Sequence, residues 1–241
     1  MSLSSIIKGI IPDKLVNILR DKLGVPGQHK SFNNLKALGY VPKTVLDIGA
    51  YEGHWSKEFK VIFPDAAVLM IEGQQNKDAK LQETASSLTN TTYKIALLGS
   101  VEKEIEFNIY ETASSVLTED NETNALVEKR TLKLLDNVVQ ATPFERPDFI
   151  KIDTQGYELE ILKGGLNTLK YAELVLLEVS LLNIYNNCPL VHDVIIFMKA
   201  QGFVLYDICS LIKRPYDRAL YQSDFLFVKE TSPLRASTRW Q

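Results

Sequence analysis

The alternation of strand-like and helix-like segments after Thr44 constrains the fold of this chain more than any other feature of its sequence. Seven apolar runs suit strands: TVLDIG, AVLMIE, TTYKIAL, DFIKID, AELVLLEVS, GFVLYDI and SDFLFVK. Helical segments are predicted between most of them, at about Trp55–Ile62, Asn76–Ser86, Tyr157–Leu169 and Val191–Gln201. Strands that alternate with helices build a mainly parallel sheet covered on both faces. We therefore predict a doubly wound, Rossmann-like α/β fold.

Two features break this alternation. EIEFNIY (Glu104–Tyr110) is an extra, more polar strand-like run, and GFVLYDI and SDFLFVK are separated only by a loop. Because no helix connects the final pair, we predict that the last strand is antiparallel and that the pair forms an antiparallel edge of the sheet. In such folds the ligand site lies beyond the carboxyl ends of the strands.

The chain divides into three predicted parts. Residues 1–40 form a helical segment with apolar residues at helical spacing, which would act as a lid over a site or as a packing surface. Residues 41–230 hold the Rossmann-like domain, and residues 231–241 form a tail. No run resembles a signal peptide or a membrane span, so we expect a cytoplasmic protein without stable membrane insertion.

The composition of the chain argues against several kinds of partner and site. The chain has 27 basic and 30 acidic residues and a net charge of −3, so a strongly basic face for nucleic acid is not expected. Cys188 and Cys209 are the only cysteines and are not closely spaced, which argues against a disulfide scaffold or a thiolate zinc site. His29, His54 and His192 lack the spacing of metal ligands, and no metal is predicted.

The first strand-like run ends in a glycine turn, LDIGAYEGHW. Gly49 lets the chain turn tightly, and Gly53 lets a ligand approach the start of the next helix. Glu72 ends the second run, where a carboxylate can bind both hydroxyls of a ribose. The turn lacks the G-x-G-x-x-G spacing that seats a pyrophosphate, and acids stand at Asp47 and Glu52. Such a turn suits a ligand with an amine and a sulfonium but no phosphate, which is S-adenosylmethionine.

Charged residues also interrupt the fourth run, DFIKID. Side chains alternate across a strand, so Phe149, Lys151 and Asp153 would share one face. Burying a lysine and a carboxylate is costly unless they pair or serve a function. At the carboxyl end of a central strand, Asp153 would border the ligand site.

Four stretches resemble the FkbM-type methyltransferase family: TVLDIGAYEGHWS, KIDTQGYELEILKGG, LLEVSLLNIYNNCPLVHDVIIFMKAQGFVLYDI and RALYQSDFLFVKE. The resemblance spans about Val41 to Lys229, and the second stretch is the most specific of the four. It implies an S-adenosylmethionine-dependent methyltransferase that usually acts on oxygen. The typical acceptors are hydroxyls of sugars, polysaccharides or secondary metabolites.

The resemblance also implies roles for single residues. Asp47, Gly49 and Gly53 would flank the methionine part of the cofactor. Glu72 would bind the ribose, and Asp153 would stand beside the transferring methyl group. Further cofactor contacts are predicted at Ala50, Tyr51, Gly73, Gln155, Ser114 and Ser115, although the two serines of the TASSVL loop could equally cap the loop.

The third strand-like run departs from the family pattern. Family members often carry an acid just after this strand, near the adenine, whereas this chain reads ALLGS (Ala96–Ser100). The contact to the adenine amino group is therefore left unassigned.

Asp153, Lys151 and His54 are the candidate catalytic residues. Asp153 would take the proton of an acceptor hydroxyl or orient the acceptor, or would merely cap the turn that follows. Lys151 would keep Asp153 ionised, or would form a structural ion pair with Glu178. His54 would face cofactor or acceptor, or is simply solvated at a helix start. Metal-assisted transfer through Asp153 and another carboxylate is a further alternative.

The sequence thus predicts an S-adenosylmethionine-dependent O-methyltransferase for a hydroxyl of a sugar, glycan or natural product. The alternatives are a Rossmann-like module that binds the cofactor without turnover and, less well supported by the glycine spacing, an NAD-dependent dehydrogenase or epimerase. The expected partner is a small-molecule or glycan acceptor, and a homodimer is also conceivable. Acceptor specificity would reside in the N-terminal helices and in the loops Tyr110–Glu119 and Leu182–His192.

Overall fold

The computed structural model of the chain describes residues 23–109, 126–183 and 187–240. Its strands are β1 (Thr44–Ile48), β2 (Ala67–Glu72), β3 (Thr91–Ile95), β4 (Leu97–Leu98), β5 (Glu104–Ile109), β6 (Leu126–Lys133), β7 (Phe149–Ile152), β8 (Leu174–Ser180), β9 (Phe203–Ile208), β10 (Ile212–Lys213) and β11 (Leu220–Lys229). Its α-helices are α1 (Gln28–Ala37), α2 (His54–Ile62), α3 (Asp78–Ser87), α4 (Leu135–Val139), α5 (Glu158–Lys163), α6 (Leu166–Leu169) and α7 (Val191–Ala200). Short 3₁₀ helices cover Gln75–Lys77 and Pro233–Arg235.

The main sheet has the strand order β10-β11-β8-β7-β1-β2-β3, and β9 also pairs with β11. The pairs from β8 through β7, β1 and β2 to β3 are all parallel. β11 runs antiparallel to both β8 and β9. The mostly parallel α/β fold and the antiparallel last strand are therefore confirmed. The final pair of predicted strands, β9 and β11, forms the antiparallel edge of the sheet as expected.

Apolar residues cover both faces of the central strands. β1, β2, β7 and β8 are buried almost throughout, which explains their nearly continuous apolar sequences. Ile48 and Ile152 join the core on one face, while Val45 and Phe149 join the core on the other. This second face is also the one on which Asp47 and Lys151 meet.

The third strand is shorter than the sequence predicts. β3 ends at Ile95, and after Ala96 the residues of β4 leave the main sheet to pair in parallel with β6. β6 in turn pairs antiparallel with β5, so the polar run EIEFNIY belongs to a small second sheet. The sequence reasoning missed β6 altogether. The small sheet places Leu97 and Phe107 beside the carboxyl end of β2.

Two helices replace the single helix predicted over Tyr157–Leu169. The helix is interrupted at Gly164 and Gly165, and a Cβ at Gly164 would overlap the carbonyl oxygen of Gly99. The break therefore lets α5 and α6 pack closely against the loop after β4.

The described part of the N-terminal segment packs against the sheet. The ring of Phe32 in α1 lies edge-on to Phe149, with 5.8 Å between centroids, and edge-on to Phe59 at 5.4 Å. Residues 1–22 lie outside the described part of the chain, so the division into domains stays a prediction. Among the described helices, none has both the length and the apolar character needed to cross a membrane.

Candidate active site

A cleft opens at the carboxyl ends of β1, β2 and β7, where the ligand site is predicted. Its empty volume, counted out to the open mouth, is about 830 Å³. Polar and apolar side chains share the lining, the main ones being Glu72, Gln74, Asp153, Leu97 and Phe107.

The turn after β1 forms one wall of the cleft. Gly49 has a φ of 73°, a conformation that favours glycine, and a Cβ there would overlap the carbonyl oxygen of Asp153. Tyr51 also has a positive φ, and its backbone N–H donates a 2.8 Å hydrogen bond to Glu72 Oε2. The turn thus brings the end of β1 against the end of β7 and ties it to the end of β2.

Glu72 is a buried carboxylate at the end of β2. Its Oε1 accepts a hydrogen bond from the backbone N–H of Gln74 and its Oε2 one from Tyr51, each 2.8 Å long. Burial raises the pKa of Glu72, and these hydrogen bonds partly offset the rise. A carboxylate has more acceptor positions than these hydrogen bonds use, so the group can still accept from a ligand hydroxyl.

The two acids that flank the turn are neutralised by the protein itself. Asp47 is fully buried, 3.0 Å from Lys151 Nζ, and accepts a 2.7 Å hydrogen bond from Ser56 Oγ. Glu52 Oε1 lies 3.0 Å from Lys77 Nζ. Both acids of the turn thus already have partners within the protein, and their predicted contacts to the amine and the sulfonium stay predictions. Asp47 supports the cleft from beneath and is not part of its described lining.

Lys151 joins Asp47 to the cleft. Its Nζ is 3.9 Å from Asp153 Oδ2 and donates a 3.1 Å hydrogen bond to the carbonyl oxygen of Gly49. Burial acts to lower the pKa of Lys151, but the charges of Asp47 and Asp153 outweigh it and raise the pKa above its ordinary value. Lys151 therefore remains a cation and stabilises both carboxylates.

The predicted ion pair between Lys151 and Glu178 is wrong. On β8 the residue opposite Lys151 is Leu176, and Glu178 lies two residues further towards the cleft end of the strand. The Glu178 carboxylate binds amides instead: its Oε2 accepts a hydrogen bond from Gln155 Nε2 at 3.0 Å and from Gln222 Nε2 at 2.8 Å.

The side-chain amide of Gln155 joins the carboxyl groups of Asp153 and Glu178 at the end of the cleft next to β7. Gln155 Nε2 donates to Asp153 Oδ1 at 3.1 Å as well as to Glu178 Oε2. The Asp153 side chain is 38% exposed and lines the cleft. Burial raises the pKa of Glu178 to about 10, with a further contribution from the charge of Asp153. Glu178 is therefore a neutral acid at neutral pH.

Glu158, rather than Asp153, caps the turn after β7. Its Oε1 accepts hydrogen bonds from the backbone N–H groups of Thr154 at 2.9 Å and Gly156 at 3.1 Å. Burial raises the pKa of Glu158 to about 7. Because Glu158 satisfies the turn, the carboxylate of Asp153 is left for the cleft.

A further carboxylate links α1 to this site. Asp224 on β11 lies opposite Glu178 on β8 and accepts a 2.8 Å hydrogen bond from Gln28 Nε2. Gln28 Oε1 in turn accepts a 2.7 Å hydrogen bond from Trp55 Nε1. Burial raises the pKa of Asp224, and the charge of Asp153 adds to the rise. The first residue of α1 is thereby anchored beside the acidic end of the cleft.

The sequence model of the methyltransferase FkbM domain matches residues 47–205, about two thirds of the chain. The chain belongs to the FkbM methyltransferase domain family. The predicted family, and with it the class of S-adenosylmethionine-dependent methyltransferases, is therefore confirmed. No curated protein matches the chain significantly.

Solved structures similar to this FkbM protein share little sequence with it. The FkbM methyltransferase of Methylobacillus flagellatus KT is 17% identical, with a TM-score of 0.46, over 77% of this chain and 43% of that one. This chain thus spans less than half of that protein. Precorrin-6y C5,15-methyltransferase of Geobacter metallireducens GS-15 is 12% identical, with a TM-score of 0.48, over 83% and 87% of the two chains. Aeropyrum pernix fibrillarin, solved with natively bound S-adenosyl-L-methionine, is 11% identical, with a TM-score of 0.48, over 78% and 67%.

The cleft of this FkbM protein has the groups needed to hold S-adenosylmethionine. Glu72 offers a carboxylate for the ribose hydroxyls, and Leu97 and Phe107 offer an apolar wall for a base. Gln74 contributes a buried amide oxygen that has no hydrogen-bond partner among the described residues. Asp153 marks the opposite end, towards β7. The apolar and polar parts of the cleft therefore match a nucleoside joined to a polar tail.

Several predicted site residues of the FkbM domain lie away from the cleft. A Cβ at Gly53 would lie 2.6 Å from Thr84 Cγ2, so this glycine allows α3 to pack closely, and it is not part of the described cleft lining. Ala50 is buried in the core, and His54 is exposed at the start of α2. Neither residue contributes to the described cleft lining, whereas Gly73 does. The catalytic role considered for His54 has no support in this geometry.

Ser114 and Ser115 lie outside the described residues, so their contacts to the cofactor stay predictions. Within the described residues, no group of three or more His, Cys, Asp or Glu side chains is arranged to hold a metal ion.

Sequence reasoning missed four residues that shape this site: Gln74, Leu97, Phe107 and Gln222. Gln74 follows Glu72 by two positions, so its place at a strand end was a usable signal. Leu97 and Phe107 reach the cleft only because β4 and β5 form the separate small sheet. Their position depends on a strand pairing that periodicity alone does not reveal.

Proposed function

We propose that this FkbM protein transfers the methyl group of S-adenosylmethionine to a hydroxyl of a polyhydroxylated acceptor, such as a sugar, a glycan or a natural product. Membership of a methyltransferase family supports methyl transfer and favours it over the dehydrogenase alternative. The nature of the acceptor is inferred from the polar groups beside Asp153.

The observation that carries this proposal is the network of Asp153, Gln155, Glu178 and Gln222. Asp153 and Gln155 line the end of the cleft next to β7, and hydrogen bonds connect them to Glu178 and Gln222 beside it. Hydroxyl groups both donate and accept hydrogen bonds, so they pair well with such a mixture of acceptors and donors. A flat apolar acceptor would leave these polar groups unsatisfied, which costs binding free energy.

Asp153 would be the proton acceptor in this network. It is exposed to the cleft, and its Oδ2 lies 3.9 Å from the Lys151 ammonium. The carboxylate would take the proton that an acceptor hydroxyl releases on methylation, and Lys151 would balance its negative charge beforehand. Lys151 acts through Asp153 and is therefore a positioning residue.

Glu178 complements Asp153 as a hydrogen-bond donor. Its raised pKa keeps it protonated at neutral pH, so one oxygen can donate to an acceptor hydroxyl while Oε2 accepts from the two amides. A neutral acid beside a charged carboxylate would orient the hydroxyl proton towards Asp153.

S-adenosylmethionine, when bound, supplies a methyl group attached to a sulfonium, and the thioether is a good leaving group. The chain's own contribution is therefore mainly alignment, which can supply on the order of 7–11 kcal/mol through effective molarity. Glu72 and the Gly49 turn would hold the donor, and the network around Asp153 would hold the acceptor.

Calorimetric titration of the full chain with S-adenosylhomocysteine and with NAD tests the cofactor. The proposal expects binding of S-adenosylhomocysteine and none of NAD, and binding of NAD alone would overturn it.

Transfer of labelled methyl groups from S-adenosylmethionine to a panel of sugars, glycans and phenols then tests the acceptor. Label incorporated only into phenols would refute the polyhydroxylated class, and binding without turnover on any acceptor would favour a non-catalytic module.

A further inference from the structure

Gln74 places a buried amide oxygen at the cleft, and none of the described residues pairs with it. The residue is 4% exposed, and its Oε1 has no hydrogen-bond partner among the residues that the structure describes. Its backbone N–H is already used by Glu72 Oε1. Buried carbonyl oxygens nearly always have a partner, because leaving one unpaired costs free energy. A ligand that brings a donor to this part of the cleft would satisfy it.

The position of Gln74 in the cleft indicates which part of the cofactor it would contact. The sheet order β7-β1-β2-β3 places the end of β2 between Asp153 and the residues after β3. A cofactor with its methyl group at Asp153 and its ribose at Glu72 must extend its base beyond Glu72, towards Leu97 and Phe107. This step rests on the proposed function. Gln74 follows Glu72 along the chain and lines the same end of the cleft.

We propose that Gln74 binds the adenine base of the cofactor, with its Oε1 accepting a hydrogen bond from the 6-amino group. Glutamine suits this task, since an amide can accept from the adenine 6-amino group and donate to the neighbouring ring nitrogen. Leu97 and Phe107 pack against the base as an apolar wall. Gln74 thereby makes the contact that an acid after the third strand would otherwise make, and selects a 6-amino purine.

Two ligands test this contact by calorimetry on the full chain: S-adenosylhomocysteine and its 6-deamino analogue, in which hydrogen replaces the amino group. Wild type should bind the analogue about tenfold more weakly, the value of one lost hydrogen bond to a buried acceptor. Gln74→Met removes the acceptor at nearly constant volume and should bind both ligands equally. Gln74→Glu keeps an oxygen acceptor and should keep the preference.

Gln75→Met is the matched control, because Gln75 is the exposed neighbour of Gln74. It should bind both ligands like wild type. A full preference for the amino compound in Gln74→Met, or equal binding of both ligands by wild type, overturns the inference while leaving methyl transfer intact. If Gln74→Met does not fold, loss of the preference in Gln74→Glu overturns it instead. Failure of wild type to bind S-adenosylhomocysteine at all would contradict the proposed function itself.

Discussion

Lys151 Nζ lies 3.0 Å from Asp47 Oδ1, and the two residues face each other on the adjacent central strands β7 and β1. Both side chains are buried. The same ammonium group donates to the carbonyl oxygen of Gly49, at the turn that forms a wall of the cleft. One buried ion pair therefore stabilises the sheet and the site together.

Removing Lys151 should destabilise the fold strongly. Lys151→Met would leave Asp47 as a buried charge without its counterion, and breaking such pairs costs about 3–5 kcal/mol. Urea unfolding followed by circular dichroism measures the free energy of unfolding. Lys80→Met is the control, because the Lys80–Glu83 pair is exposed and should contribute less than about 1 kcal/mol. Equal stability of the two variants would contradict a stabilising role for the Lys151–Asp47 pair.

Gly49→Ala should damage the site more than an alanine at another left-handed glycine. Gly49 and Gly39 have φ values of 73° and 86°, so both substitutions strain the backbone. Only at Gly49 would the new Cβ overlap a neighbour, the carbonyl oxygen of Asp153, while Gly39 has nothing within 4 Å. We expect Gly39→Ala to cost about 1 kcal/mol and Gly49→Ala clearly more, with loss of S-adenosylhomocysteine binding. Equal costs in thermal unfolding and unchanged binding would refute the close approach of β1 and β7.

Glu158 should make stability fall as pH rises. Its pKa is about 7 in the folded protein against an ordinary value of 4.5, so the folded state holds the proton more tightly. The resulting stabilisation is complete below pH 4.5 and is lost as pH rises through 7, by up to about 3 kcal/mol. Glu158→Gln removes this dependence while keeping an acceptor for the turn. Between pH 4.5 and 8 the variant should therefore gain stability relative to wild type, measured as the difference between their free energies of unfolding. A difference that does not change with pH would contradict a raised pKa of Glu158.

Local patterns in the sequence identify much of this fold. β1, β2 and β8 follow from short apolar runs, and the turn at Gly49 follows from its glycine. The length of β3 was not predictable in this way, because TTYKIAL continues as an apolar run through Ala96 into β4. The break arises from pairing of β4 with β6, a contact between residues far apart in the chain.

The site residues also differ in how well the sequence predicts them. Glu72 and Asp153 were predicted to border the ligand because both end predicted parallel strands, and both line the cleft. The partner of Lys151 was not predictable, since β1 and β8 both flank β7 and each carries an acid. The choice between Asp47 and Glu178 depends on register, which periodicity does not specify.

Glu178 should tolerate loss of its charge but not of its polarity. Because its raised pKa keeps it protonated at neutral pH, Glu178→Gln resembles the native state and should retain methyl transfer within a few-fold at pH 7. Glu178→Leu removes the acceptor of the Gln155 and Gln222 amides and should lower kcat/KM at least tenfold. Equal loss in both variants, in assays with the best acceptor of the panel, would show that the ionised form is needed.

The position of Asp153 beside the transferring methyl group is tested most directly by Asp153→Asn. Turnover with labelled S-adenosylmethionine and S-adenosylhomocysteine affinity should be measured on the same preparations, with Glu83→Gln as an exposed control. The proposal expects kcat to fall by about 10²–10⁴-fold in Asp153→Asn, with binding changed only a few-fold and the control like wild type. Unchanged kcat in Asp153→Asn would contradict the role of Asp153 as proton acceptor.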